Sequence, residues 1–281
     1  MRSIRTIAIL LVLGFSYLGT RGQCLESNFA FQPGERLNYT GYYNWGFIWV
    51  AAGEVNLSVG DSEYKGNPAY KITAEGRSLK AFDWFFKLRD TLTSYVDPST
   101  LAPFHFDRQT NEAKYKARHL YDFDYENQVI YSNIRKKSKP ALQDTVALTP
   151  CTFDLLTVAY YARNINFSNY KKGDKIPLTM LVDNEINSLY IRYLGIDVVK
   201  AKNGERFECL KFSPLLVKGT MFKGGEDMTV WMSNDQNRIP IMVEAKVLVG
   251  SVKGVLTSYE GLRSTTNSWF KRKHGRMEIA E

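Results

Sequence analysis

Apolar and polar residues alternate along most of this chain, and the period is two. In GEVNLSVG, Val55, Leu57 and Val59 fall on one side; in AYKITAEG, Tyr70, Ile72 and Ala74 do the same. Phe86, Leu88, Asp90 and Leu92 share a face of FKLRDTLTSYV, and Tyr121, Phe123 and Tyr125 alternate with acids in LYDFDYEN. Ile239, Ile241, Val243, Ala245, Val247 and Val249 extend the pattern near the end. Alternation of this kind predicts antiparallel strands with one wet face, because a buried parallel sheet would read as continuous apolar runs. Turn chemistry sits between the runs: Asp97-Pro98, Asn127, Asn203-Gly204 and Gly250-Ser251.

One segment departs from period two. In TPCTFDLLTVAYYARNINF, Phe153, Leu156, Ala159 and Tyr160 fall at helical spacing. Thr152 is placed to cap that helix, and Asp154 in its first turn suits the positive end of the helix dipole. The polar stretch 135–149 reads as a long loop joining two halves. The expected fold is therefore mainly β: a curved antiparallel sheet or open barrel-like structure with one packed central helix.

The amino end changes the picture. Arg2 and Arg5 precede an apolar run, Ile7 to Gly19, of about 13 residues, short of the roughly 20 needed to span a bilayer. That order reads as a signal peptide over residues 1–22, cleaved after Gly22, with a single β-rich domain over 23–263 and a basic tail over 264–281. Cys24 raises a lipid anchor, but Arg21-Gly22-Gln23 is a poor match to a lipidation site. No later stretch is apolar enough for a transmembrane helix. Losing Arg2, Arg5 and Arg21 lowers the formal charge from +8 to +5, too diffuse to argue for nucleic acid.

Aromatic residues are dense in NYTGYYNWGFIWVAAGE. Strict alternation would put Tyr43, Trp45, Phe47 and Trp49 on one face, as core packing or as the wall of an apolar ligand cavity. FDWFF, Phe82 to Phe86, reads as a second wall or as an exposed lip touching lipid. Arg89, beside Asp90, is either part of a turn-stabilising ion pair, as is Arg238, or a clamp for a ligand carboxylate or phosphate.

Chemistry beyond binding is sparse. The histidines His105, His119 and His274 have no metal-pair spacing, and no nucleophile elbow or phosphate-cradling loop is present, so neither metal nor cofactor is expected. Asp83, Asp90, Asp122, Asp124, Asp154 and Asp227 leave a glycosidase-type carboxylate pair open. Three cysteines survive cleavage; Cys151–Cys209 is the pairing considered, against both being small buried apolar residues. Asp144-Thr145-Val146 resembles an acceptor for O-linked sugar.

Longer strings carry a family resemblance. FQPGERLNYTGYYNWGFIWVAAGE, FDWFFKLRDTLTSYVDPSTLAPFHF, PCTFDLLTVAYYAR and VWMSNDQNRIPIMVEAKVLVGSVKGVL resemble the domain-of-unknown-function 3108 family over roughly Phe31 to Gly261. The markers are Pro33-Gly34-Glu35, Ala52-Gly53, Arg89-Asp90, Asp154, Trp231 and Arg238-Ile239-Pro240. The resemblance implies an exported envelope protein, periplasmic or outer-envelope, of a Gram-negative bacterium, mostly β, with no agreed catalytic residues. Three functional readings follow: a non-catalytic β-protein holding an apolar or amphipathic molecule or supporting envelope assembly, a secreted glycan hydrolase, and a structural or interaction module using a sheet edge or the tail.

Overall fold

Turn residues divide the chain where the alternation breaks, and the strands between them join edge to edge. A computed structural model describes residues 27–45, 48–137, 139–218, 224–247, 249–271 and 277–279. The signal at 1–22, Cys24, Phe47, the side chain of Trp45 and His274 lie outside the described residues or side chains.

The first meander contains β1 (Arg36–Trp45), β2 (Ile48–Tyr64), β3 (Asn67–Ser78), β4 (Arg89–Val96), β5 (Pro103–Glu112), β6 (Tyr115–Asp124), β7 (Val129–Lys136) and β8 (Leu142–Ala147). Each pairs antiparallel with the next. A two-residue strand, β9 (Thr152–Phe153), leads into helix α1 (Leu155–Ala162). The second meander is β10 (Lys175–Val182), β11 (Glu185–Lys200), β12 (Arg206–Pro214), β13 (Met228–Ser233), β14 (Pro240–Lys246) and β15 (Ser251–Glu260). β15 pairs with β1, which fuses the meanders into one sheet.

The sheet therefore runs from β8 to β9, whose ends in the chain are separated only by residues 148–151. No ladder joins those two edges among the described residues. The structure is an open, curved, barrel-like sheet. Its gap is spanned by side chains: Ser132 Oγ donates to Asn184 Oδ1, and Asn184 Nδ2 lies 3.4 Å from Asp144 Oδ2. Asn184 reaches β7 and β8 because Asp183-Asn184 forms the β10–β11 turn with both φ values positive, a conformation short polar side chains tolerate.

Several expectations are corrected. Residues 142–147 form β8 rather than loop, since a polar strand at a sheet edge carries no apolar alternation to announce it. The helix cap is Asp154, not Thr152: its Oδ1 accepts from the Leu156 and Thr157 amides at 2.9 and 2.8 Å. The tail contains β16 (Trp269–Lys271) and β17 (Met277–Ile279) in place of a surface helix or frayed end. Its start is anchored, with Ser264 N donating to Asn237 Oδ1 and Asn237 Nδ2 to the Ser264 carbonyl.

Helix α1 plugs one end of the curve. Leu156 and Tyr160 pack against Phe31, Ile72, Val96 and Phe106, while Tyr161 and Ala162 face Ile176, Ile191 and Phe212. Just past the helix, the fully buried Arg163 grips Glu35 through two bonds of 2.6 and 2.7 Å and donates to the Asn237 carbonyl at 2.8 Å. The rings of Phe31 and Tyr160 each lie 5.1 Å from its guanidinium. Such a pair is tolerated in the interior because every charge is matched and hydrogen-bonded.

Candidate ligand site at the open end of the barrel

Parity with the core defines the inner face. Ile72, Val96, Phe106 and Tyr121 pack inside, so in β3–β6 the residues an even number away from them also line the interior. Towards the plugged end these positions are apolar. Towards the other end they turn polar. Arg108 lies directly across from Leu92 on β4 and His119 on β6, and Glu112 is opposite Tyr115.

This patch is unevenly satisfied. Arg108 is half-buried and makes no hydrogen bond or ion pair among the described residues. His119 is buried, with Nε2 3.2 Å from Asp183 Oδ1, an ion-pair contact that lacks hydrogen-bond alignment. The buried Thr110 hydroxyl has no hydrogen-bond partner. Asp90 accepts from the Asn111 amide at 2.8 Å. Burial first, and then the adjacent Asp90 carboxyl, pushes Glu112 up to about 7. The His119 contact holds the Asp183 carboxyl below its ordinary range against the opposing effect of burial.

The arrangement can offer a guanidinium, an imidazole and two neighbouring carboxyls to a polar headgroup. It is poorly suited to glycoside hydrolysis. Asp90 and Glu112 lie close enough for the Asp90 carboxyl to raise that of Glu112, whereas the two carboxyls of a glycosidase stand roughly 5–10 Å apart with the sugar between them.

The rim of this end is apolar. The β1–β2 tip, the β3–β4 loop and the β14–β15 turn come together there. The Tyr43 ring lies 6.3 Å from that of Phe85, and Tyr43 Oη donates to the Val249 carbonyl at 3.0 Å. Trp84 is 80% exposed and Ile48 68% exposed.

The aromatic stripe does not form one wall. Tyr43 pairs with Val50, and Trp49 pairs with Asn44, so Tyr43 and Trp49 lie on opposite faces. A hairpin tip intervenes, and alternation counted straight through a reversal loses its parity. The Lys253 ammonium sits 4.1 Å from the Trp49 ring. Arg89 is no free clamp either. It donates to both oxygens of Asp83 at 3.1 and 2.7 Å and to Ser78 Oγ at 2.8 Å. Its ion partner is thus Asp83, six residues back across the loop, and the turn-stabilising role is the one observed. Arg238 forms no ion pair among the described residues; burial lowers its pKa, and its own amide donates to Asp235 Oδ1.

The Cys151–Cys209 bridge is absent. Cys209 is a free thiol buried among Leu37, Phe207 and Ile241, with its pKa pushed up to about 12 mainly by burial, whereas Cys151 is disulfide-bonded elsewhere and borders the Ile176–Phe212 cluster. The two belong to different parts of the core.

On the outer face, Asp122 accepts from Tyr64 Oη and lies 3.1 Å from His105 Nδ1 and 3.4 Å from Lys65 Nζ. This borders an open cleft of about 370 Å³. Contact with His105 holds Asp122 far below the usual carboxylate range despite burial. A carboxylate so committed acts as a strut and is a poor proton donor.

The family described as "Protein of unknown function (DUF3108)" matches residues 38–257. The chain belongs to this family. Among solved structures it is similar to a "Beta-barrel-like Protein of Domain of Unknown Function DUF1849 from Brucella abortus", with a TM-score of 0.53 and 11% identity over 82% of this chain and 98% of that one. That likeness concerns the fold. No curated protein matches the chain.

The family markers sit at joints of the barrel. Glu35 holds Arg163, and Asp154 caps α1 while accepting from Ser94 Oγ. Trp231 Nε1 donates to Asp197 at 3.0 Å. At Gly53 a Cβ would come within 2.8 Å of the Arg77 carbonyl, so only glycine allows that approach. Arg89 latches the β3–β4 loop. Most of these markers hold the fold together, while Asp90 of the Arg89-Asp90 pair lies at the mouth.

Of the residues of that mouth, Arg108, Thr110 and Glu112 escaped the sequence reading. A signal for them exists: in PFHFDRQTNE, Arg108, Thr110 and Glu112 share parity with the core residue Phe106. Polar groups on a core-facing parity mark an interior that is not sealed.

Proposed function

We propose that this is a non-catalytic exported β-protein of the Gram-negative periplasm or outer envelope that holds an amphipathic molecule at the open end of its barrel. The ligand's anionic group lies against Arg108. Its hydroxyl or amine groups meet Asp90 and Glu112, and its apolar portion lies along the Tyr43–Phe85 rim. The observation that carries this reading is Arg108: a half-buried guanidinium on the inner face with no hydrogen bond or ion pair among the described residues. Glu112 and Asp183 lie within electrostatic range of this guanidinium, yet it donates to neither, and donors left unused at a polar mouth support a ligand group completing them.

The test is native mass spectrometry and solvent extraction of protein purified from its envelope. The wild type should carry a stoichiometric amphiphile, and Arg108→Gln should lose most of it while melting at nearly the same temperature. Full ligand occupancy in Arg108→Gln, or an empty wild type, would sink the reading.

A further inference from the structure

The loop between β3 and β4, Leu79 to Leu88, exposes apolar side chains that a loop ordinarily hides. Trp84, Phe85 and Phe86 are all among the exposed large hydrophobics. They are not loosely held. Ser78 Oγ and Arg89 both bind Asp83 inside the loop, and the Phe85 and Phe86 amides donate to the Phe82 carbonyl at 2.9 and 3.0 Å. The Trp84 and Phe85 rings meet edge to face at 6.0 Å. The fold thus spends an ion pair and several hydrogen bonds on presenting an aromatic knuckle to the outside.

Five lysines surround it, outnumbering the carboxyls Asp90 and Glu112 of the adjoining mouth. Lys80 and Lys87 flank the knuckle, and the β5–β6 and β7–β8 turns at the same end add Lys114, Lys137 and Lys139. All five are exposed, and none makes an ion pair among the described residues. The loop's own acid, Asp83, is neutralised by Arg89, and Glu54 beside β3 by Arg77. The loop's backbone is turned inward to its own bonds, so it offers no strand edge to a protein partner.

We propose that the open end of the barrel docks on an anionic lipid bilayer, with Trp84, Phe85 and Phe86 entering the headgroup region and the lysine ring facing lipid phosphates. Trp is the side chain best suited to a membrane interface, and a basic surround adds attraction that salt weakens. This inference does not depend on the ligand site, although docking would place the mouth containing Arg108 towards the membrane.

The experiment is sedimentation of the mature, full-length protein with phosphatidylcholine vesicles, alone or containing phosphatidylglycerol. Binding should require phosphatidylglycerol and should fall as salt is raised. Trp84→Ser/Phe85→Ser should lower vesicle affinity about tenfold or more. Both side chains point outward, and an unchanged melting temperature would confirm the fold. Trp84→Phe, as a gentler variant, should abolish any blue shift of tryptophan emission on vesicles while leaving sedimentation largely intact. Arg108→Gln should dock normally, which separates failure here from failure of the ligand site. Equal pelleting of Trp84→Ser/Phe85→Ser and wild type, or no pelleting with either vesicle, would overturn the proposal.

Discussion

The two ends of this barrel differ in how fully their inward-facing charged groups are bonded to one another. At the plugged end, Arg163, Glu35, Asn237 and Asp154 are fully enclosed and hydrogen-bonded, while the Tyr160 hydroxyl and two nitrogens of Arg238 there are buried without a partner. At the open end, Arg108, Thr110, His119 and Glu112 line the same inner surface with few good bonds. Burial without partners is costly, so evolution toward stability alone would fill the second end as it filled the first. That contrast is the reason the proposed reading puts folding at the plugged end and binding at the open end.

The sharpest way to break the comparison is to remove one partner of the enclosed ion pair. Glu35→Ala leaves Arg163 charged and unpaired, and urea denaturation should show a loss of about 3–5 kcal/mol. Asp154→Ala deletes the α1 cap and strands Ser94 and Thr157, so the same measurement should show about 2 kcal/mol. Arg89→Ala at the open end releases the β3–β4 loop, and limited proteolysis should cut near Trp84 while global stability drops by only about 1 kcal/mol. A comparable loss from Arg89→Ala and Glu35→Ala would erase the distinction.

A further effect concerns pH. Glu112 is raised from 4.5 in the unfolded chain to about 7, so the folded state binds the extra proton between those values. Stability should therefore fall as pH rises through that window, with the penalty complete above about 7. Glu112→Gln should flatten this part of the profile and stabilise the protein slightly at about pH 8. A profile unchanged by the substitution would mean that Glu112 titrates normally and that the mouth is fully hydrated.

Much of the fold was readable along the chain because strand alternation and turn chemistry are local. The hairpin at Asn203-Gly204 and the helix near Leu156 follow from neighbours a few residues apart. The strand 142–147 was not readable, since its pairing with β7 is all that makes it a strand. The candidate site was harder still. Arg89 looked like a clamp until Asp83 was found across the loop, and Tyr43 and Trp49 looked like one wall until the β1–β2 register separated them.

By itself the sequence determined the β-rich class, the single helix, the family and the aromatic FDWFF segment, because each rests on residue type and short-range periodicity. Tertiary structure alone decided the rest. It set which end is sealed, which cysteine stays free, which arginine is spoken for, and that Arg108 and His119 face one another. Those facts depend on strand register and on contacts between distant parts of the chain, for example Glu35 with Arg163, 128 residues apart. No local pattern encodes which charge will find its partner and which will be left waiting.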